Sequence, residues 1–257
     1  PAAKPAAIAC MVVVIVCALG ILIQTGMFGD YSTSKIIANE MVYAKAGAYI
    51  SGKYIGEKFP GSKILFLVDD EKYNSRQKEI IESFKEGLAG RAEIIGSECP
   101  RPLPPAPTEE AIAAEGAATT PPIQQGPIDS MMMMPIQETM TAQVVNDIML
   151  KYPKANMLVT FVGFPRDIEN MDIWREEDTE KMVKVAVVSG DIYQLKPAFA
   201  SKQAAAVVAY SPKAKFDESK APSDMQAAFD KRYLLITLEN IESILTEYPG
   251  LFPEDKK

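Results

Sequence analysis

The sequence predicts an α/β protein with a doubly wound, mostly parallel sheet, preceded by one N-terminal transmembrane helix. Short apolar runs at 185–188 and 204–209 flank an amphipathic, helix-length segment at 193–202. Runs that are apolar on both faces are typical of strands in a parallel sheet covered by helices on both sides. The same alternation of strand and helix recurs along most of the chain, which predicts right-handed crossover connections within one sheet.

Composition excludes several classes of function. The chain of 257 residues carries a net charge of −7 and no basic cluster, so we expect no nucleic-acid partner. It contains no histidine, which excludes a Ser-His-Asp triad, a Cys-His dyad and a histidine-based zinc site. The three cysteines form no CxxC motif and indicate no disulfide framework. We expect a non-catalytic protein without a cofactor or a bound metal. An enzyme is a further alternative, since carboxylates at strand ends can do acid–base work, but no nucleophile–base pair is recognisable.

The N-terminal segment predicts a membrane anchor. Residues 5–29 contain no charge, and 6–23 are almost wholly apolar, which is long enough for a helix to cross a bilayer. A cleaved signal peptide is the alternative. A chain that begins at Pro1, as after removal of an initiator Met, favours an uncleaved anchor at residues 1–29. The charge of Lys4 places the N-terminus in the cytoplasm and the rest in the periplasm of a bacterial inner membrane.

The anchor is followed by a juxtamembrane helix within residues 30–60, which is rich in Ala, Gly and Ser. Small residues at helical spacing indicate close packing on the sheet or, alternatively, association between helices of two protomers. Residues 61–98 form the first part of the α/β domain, with strands at 63–68 and 92–96 and a helix at 74–88. Residues 129–257 form the remainder. Its expected elements are helices at 139–151, 168–181, 223–229 and 238–248, and strands at 157–162, 185–188, 204–209 and 233–237.

Between these parts lies a proline-rich insertion at residues 99–128. The stretch 99–127 holds eight prolines and many Ala, Thr and Glu residues, a composition that cannot build a core. Four consecutive methionines, Met131 to Met134, follow it. Thioethers bind copper(I), but no histidine or cysteine supports this run, so an adaptable apolar contact is the favoured interpretation.

Candidate ligand-binding residues lie where the predicted strands end. In doubly wound sheets, ligands bind beyond the carboxyl ends of the strands. Carboxylates that meet there can hold a hard cation or sugar hydroxyls. Alternatively, Asp69 and Asp191 cap the helices that follow them. The residues at these ends are Asp69, Asp70 and Tyr73 after the first strand, Phe164 and Arg166 after the third, and Asp191 and Tyr193 after the fourth.

Stretches of the sequence resemble two known families. The stretch KILFLVDDE resembles the start of a response-regulator receiver domain, but the third strand ends in TFVGFP, without the phosphoacceptor aspartate. Residues 38–252 look like the second lobe of type I periplasmic sugar-binding proteins. The segments that carry this likeness are GSKILFLVDDEKYNSRQKEIIESFKEGLAG, IMLKYPKANMLVTF, SGDIYQLKPAFASKQAAAVVAYSP and RYLLITLENIESI.

The second resemblance implies a binding-protein-like lobe in which, of the family's ligand-contacting positions, only Asp191 is kept. The family's arginine falls near Lys78 or Ile80, and its Asn-Asp pair becomes Gly163 and Phe164. We therefore expect a membrane-anchored, extracytoplasmic subunit that scaffolds a complex with copies of itself or with other membrane subunits. The alternative is a tethered module that binds or senses a sugar-like solute. Its ligand would contact Asp69, Asp70, Phe164, Asp191 and Tyr193.

Overall fold

A six-stranded sheet lies at the centre of the computed structural model, which describes residues 31–72, 74–101, 134, 136–176, 178, 181–217 and 219–252. The spatial order of the strands, numbered along the chain, is β2-β1-β3-β4-β5-β6. The first five strands pair in parallel, and the last pairs antiparallel with its neighbour. The predicted mixed α/β fold with a mostly parallel sheet is therefore confirmed. The strands are β1 (Lys63–Leu67), β2 (Glu93–Glu98), β3 (Met157–Thr160), β4 (Lys184–Val187), β5 (Ala204–Tyr210) and β6 (Tyr233–Ile236).

Helices cover both faces of this sheet. Successive strand residues point to opposite faces, so Leu65 and Leu67 of β1 join one buried cluster while Ile64 and Phe66 join the other. The first cluster packs under α4 and α7, and the second packs under α1 and α2. The helices are α1 (Tyr31–Lys58), α2 (Gln77–Leu88), α3 (Ile136–Thr139), α4 (Ala142–Lys151), α5 (Lys196–Ala200), α6 (Met225–Arg232) and α7 (Ile241–Glu247).

The small residues of α1 serve packing within the chain. An ideal Cβ on Gly52 of α1 would lie 2.2 Å from the backbone oxygen of Phe84 in α2, and one on Gly87 of α2 would lie 2.1 Å from the backbone oxygen of Tyr49. Only glycine permits two helix backbones to approach this closely. Gly47 instead faces Val208 of β5. The helix therefore packs on α2 as well as on the sheet.

Two segments that were predicted as helices differ in the structure. The helix expected at 168–181 is wrong in its described part, where two 3-10 turns, Ile168–Asn170 and Asp172–Arg175, take its place. The side chain of Asn146 bonds the backbone of Asn170 and of Asp172, at 3.2 and 2.9 Å, and so fixes the bend between the turns. The segment expected as a helix at 193–202 holds a 3-10 turn, Tyr193–Leu195, followed by α5. Pro197 has no N–H to continue the helix back to Tyr193.

The anchor predicted at residues 5–29 lies outside the described residues, as does nearly all of the insertion. None of the helices that the structure does describe is both long and apolar enough to cross a bilayer.

Candidate functional site

The carboxyl edge of the sheet carries the predicted site residues, and at β1 the space is filled by an ion pair. Asp69 follows β1 and accepts from Arg101 twice, from Nε to Oδ1 at 2.9 Å and from Nη2 to Oδ2 at 3.1 Å. The two side chains are only 11% and 14% exposed. Arg101 also donates to the backbone oxygen of Met134 at 3.3 Å. Arg101 therefore links the start of the insertion to the end of β1 and to Met134, which follows the insertion.

Gln77, at the start of α2, also binds the segment that follows β1. Its Oε1 accepts from the backbone N–H of Asp69 at 2.6 Å, and the side chain is buried. The Oδ1 of Asp70 accepts from the backbone N–H of Lys72 at 2.9 Å. Asp69 therefore pairs with an arginine and does not cap α2, against one of the two expectations for it.

The three strand-end carboxylates do not meet. Among the described residues, no group of three or more acidic or cysteine side chains is placed to hold a metal ion. Nothing in this arrangement supports the cation-binding alternative. Tyr73, the remaining candidate after β1, lies outside the described residues.

Two glycine loops bring the ends of β3 and β4 together. Gly163 and Gly190 have φ values of +81° and +125°, a region that favours glycine. An ideal Cβ on Gly190 would lie 2.3 Å from the Cα of Gly163. The Oε1 of Gln137, from α3, accepts from the backbone N–H of Asp191 at 3.3 Å and so ties α3 to the second loop. Asp191 is thereby held at the centre of the edge.

Asp191 caps the turn that follows it. Its Oδ1 accepts from the backbone N–H of Tyr193 at 2.9 Å, as expected for an aspartate at the start of a helical turn. The carboxylate is exposed, and Tyr193 is 56% exposed beside it. The bond to Tyr193 leaves other acceptor positions free, because a carboxylate has two oxygens and about four acceptor positions. The side chain can therefore still accept hydrogen bonds from a ligand.

On the β5 side of Asp191 lies an open cavity of about 350 Å³, called here the aromatic groove. The backbones of Ala44 and Gly47 in α1 border it where they face β5. Three tyrosines and two polar residues from the ends of β4, β5 and β6 give it its chemical character. They are Tyr193, Tyr210, Tyr233, Ser189 and Asp191.

Two of the tyrosines of the aromatic groove, Tyr210 and Tyr233, lie side by side. The ring centroids of Tyr210 and Tyr233 are 5.1 Å apart. Burial raises the pKa of Tyr233 above its ordinary value of 10.0, and the neighbouring Tyr210 hydroxyl raises it further. Tyr233 therefore stays neutral at physiological pH. It presents a hydrogen-bonding hydroxyl and an apolar ring.

On the β3 side of Asp191 lies a second cavity of about 380 Å³, called here the polar groove. The side chain of Arg166 crosses it to Glu138, with 2.5 Å between Nη2 and Oε2. Phe164 is only 3% exposed and packs edge-on against Trp174, with their centroids 6.3 Å apart. The indole N–H donates to the backbone oxygen of Ile168 at 2.6 Å. The groove is lined by Gln137, Glu138, Phe164, Arg166, Ile168, Asp191, Gln194 and Leu195.

Several residues of this edge were missed by the sequence analysis. Tyr210 ends β5, so the same strand-end rule would have identified it. Arg101 lies within the insertion and Gln137 lies in α3, and no local pattern reveals that they reach the ends of β1 and β4. Tyr233 begins an antiparallel strand, which reaches the carboxyl edge with its first residue instead of its last.

Comparison with known proteins finds little similarity. No protein-family model matches the chain, and no curated protein matches it. Among solved structures, the chain is similar to a periplasmic ribose ABC transporter from Conexibacter woesei DSM 14684. The sequences are 13% identical, the TM-score is 0.41, and the match covers 79% of this chain and 60% of the other. That TM-score is too low to carry an argument, and the fold assignment rests on the sheet described above.

Proposed function

We propose that this chain is a non-catalytic module that binds a small, hydroxyl-rich solute at the carboxyl edge of its sheet. The observation that carries this proposal is the position of Asp191, whose carboxylate borders both the aromatic groove and the polar groove. Each cavity falls within the range of about 300–1,000 Å³ that is usual for ligand sites. A solute across Asp191 would have tyrosine rings on one side and amide and charged groups on the other.

The chemistry of the two grooves fits a sugar-like solute. Aromatic rings cover the apolar face of a ring-shaped ligand, while a carboxylate accepts hydrogen bonds from its hydroxyls. Such charged hydrogen bonds contribute about 1.5–3 kcal/mol each. Asp69 does not take part, because its oxygens are bound to Arg101. Phe164 contributes only as part of the groove wall, because it is buried.

The proposed place of action is the extracytoplasmic face of a membrane. The apolar, uncharged stretch at residues 5–29 supports this part of the proposal, since its length matches a bilayer span. The module would then meet its solute outside the cytoplasm while remaining attached to the membrane.

A scaffold without a ligand is the second candidate, and one observation favours it. The bond from the Tyr193 amide to Asp191 gives the carboxylate a purely structural role. In that case Asp191 would contribute about 1 kcal/mol of stability as a cap and nothing else. The chain would then act through contacts with copies of itself or with other membrane subunits.

Sugar titration of the full-length chain distinguishes these candidates. Calorimetry and the fluorescence of Trp174, the single tryptophan of the chain, would follow binding of pentoses and hexoses. Trp174 lies behind the wall of the polar groove, so a bound solute should change its emission. We expect one class of these sugars to bind, and Asp191→Ala to weaken that binding about ten- to a hundredfold.

Asp224→Ala is the matched control. Asp224 also caps a helix, accepting from the backbone N–H of Ala227 at 2.8 Å, but it borders neither groove. Both substitutions should lower the melting temperature by a similar amount, and only Asp191→Ala should lower affinity. If no pentose or hexose binds and the two variants lose the same stability, the solute-binding proposal is wrong and the scaffold is favoured.

A further inference from the structure

Arg232, the last residue of α6, is an arginine with no exposed surface. Its guanidinium carbon lies 4.1 Å from the ring centroid of Tyr43 in α1 and 4.3 Å from that of Phe216. The cation is therefore placed between two aromatic rings, at distances at which cation–π attraction is effective. The planar guanidinium group suits this arrangement, because both of its faces can stack.

Hydrogen bonding compensates only part of this buried charge. A single nitrogen, Nη1, donates to both carboxylate oxygens of Glu40, at 3.0 and 3.1 Å. The Nε and Nη2 groups of Arg232 have no hydrogen-bond partner among the described residues. Burying a cation is costly unless it is well paired. The two rings therefore supply interaction that the ion pair does not provide.

Phe216 connects Arg232 to the aromatic groove. Its side chain is 67% exposed, so burial alone holds it weakly. Its ring centroid lies 5.6 Å from that of Tyr210, which in turn stacks beside Tyr233 in the groove wall. A continuous row of contacts thus runs from α1 through the buried cation to the groove.

The loop that carries Phe216, residues 211–217, has further attachments that do not depend on the guanidinium group. The backbone N–H of Ser211 donates to the backbone oxygen of Arg232 at 3.0 Å, and the ammonium group of Lys231 donates to Asp217 at 3.2 Å. The N–H of Ala214 donates to the backbone oxygen of Ser211 at 2.8 Å. Loss of the cation should therefore loosen Phe216 without unfolding the chain.

We propose that Arg232 is a positioning residue for the solute site: its guanidinium group holds Phe216 and thereby fixes the ring of Tyr210 in the wall of the aromatic groove. The part of this inference that concerns affinity rests on the proposed solute-binding function. The part that concerns the order of residues 211–217 does not.

Hydrogen exchange measured by mass spectrometry on the full-length chain tests the loop. Arg232→Met removes the charge but keeps an unbranched side chain, and Glu40 is 46% exposed and stays solvated. Phe216→Leu removes the ring at an exposed position. We expect each variant to speed exchange of the 211–217 amides about tenfold. The double variant should exchange no faster than either single variant, because both substitutions break the same contact.

Arg232→Lys and Arg91→Met are the matched controls. Lysine keeps a cation but lacks the planar group that stacks on both rings, so exchange in Arg232→Lys should lie between that of the unaltered chain and that of Arg232→Met. Arg91 pairs with Glu57 at 3.6 Å at the amino end of the sheet, and its loss should leave the loop unchanged. In parallel, D-ribose, D-xylose, D-glucose and D-galactose are titrated by calorimetry, and we expect Arg232→Met and Phe216→Leu to bind about tenfold more weakly.

Each outcome decides one part of the inference. Unaltered exchange in Arg232→Met or in Phe216→Leu overturns it, as do effects that simply multiply in the double variant. If Arg232→Met does not fold, the comparison of Phe216→Leu with Arg232→Lys decides, and unaltered exchange in both overturns the inference. If the 211–217 amides exchange faster in the variants but sugar affinity is unchanged, the cation orders the loop without fixing the ring of Tyr210 for the ligand. A last outcome is that the unaltered chain binds none of the four sugars while the 211–217 amides exchange faster in Arg232→Met and Phe216→Leu. In that case the proposed function is wrong, and the inference that Arg232 positions Phe216 is supported.

Discussion

The close approach of α1 and α2 predicts opposite effects of two glycine-to-alanine substitutions in the same helix. An alanine Cβ at Gly52 would lie 2.2 Å from the backbone oxygen of Phe84 and 3.2 Å from the backbone nitrogen of Leu88. Because favourable contacts lie at roughly 3.5–4.0 Å, the helices would have to separate by roughly 1 Å. At Gly47 the new Cβ would be 3.5 Å from a methyl group of Val208, which is an ordinary contact.

The magnitude follows from two opposing contributions. Overpacking costs about 1–3 kcal/mol, and Gly52→Ala should reach the upper end, because the obstacle is backbone and cannot rotate away. Alanine regains about 1 kcal/mol of helix propensity over glycine. We therefore expect Gly52→Ala to lower the free energy of unfolding by about 2 kcal/mol and Gly47→Ala to raise it by about 1 kcal/mol.

Urea unfolding followed by far-UV circular dichroism measures both values on the full-length chain. A change in the transition midpoint at constant slope would show that stability has changed without a change in the surface exposed on unfolding. The reasoning is refuted if Gly52→Ala is as stable as the unaltered chain. It is also refuted if both variants change by the same amount and in the same direction.

Three further predictions concern other parts of the chain. Arg101→Met should lower the free energy of unfolding by about 3 kcal/mol, because it leaves Asp69 mostly buried without its cation. Adding Asp69→Asn should restore part of this loss. If the effects of the two substitutions simply add, the prediction is wrong. The raised pKa of Tyr233 contributes stability that is fully present below the unfolded value of 10.0 and is lost as pH rises towards the folded pKa. Unfolding measured at increasing alkaline pH should therefore show less loss for Tyr233→Phe than for the unaltered chain. Membrane fractionation should recover the chain only with detergent, and a soluble product that begins beyond residue 29 would show that the anchor prediction is wrong.

The sequence predicts this fold correctly where local pattern determines local structure. The strands around Val185 and Ala204 are buried on both faces, so their apolar runs identified them to within about one residue. The turn at Gly190 and Asp191 followed from the same pattern, because a strand that ends in glycine and aspartate leads into a capped turn.

Several of the failures share one physical cause, which is contact between side chains distant in the sequence. Arg101 meets Asp69 across 32 residues, and Arg232 meets Glu40 across 192. No period or propensity encodes such pairs. The bend beside Asn170 likewise depends on Asn146, a side chain in another helix, which bonds backbone groups that a continuous helix would pair internally. Tertiary context overrides local preference at such positions.

The order of the strands explains why the candidate site lies beside β4 and β5. In an order of β2-β1-β3-β4-β5, the topological switch point falls between β1 and β3, and ligands ordinarily bind in the crevice there. In this chain the ion pair of Asp69 with Arg101 occupies the end of β1, and Gln77 donates from Nε2 to the backbone oxygen of Phe161 at 3.5 Å. The chain's own side chains therefore satisfy the polar groups of the crevice.

A solute at the switch point would have to replace Arg101, and Asp69 would then lose a charged, two-point hydrogen bond in a mostly buried position. A solute at Asp191 faces no such cost, because that carboxylate is exposed and gives up only water. Arg101 also donates to the backbone oxygen of Met134, so the start of the insertion and the segment after it are both attached to this edge. Arg101 thus both closes the usual crevice and attaches the start of the insertion, and this favours the proposal that a solute binds in the grooves on either side of Asp191.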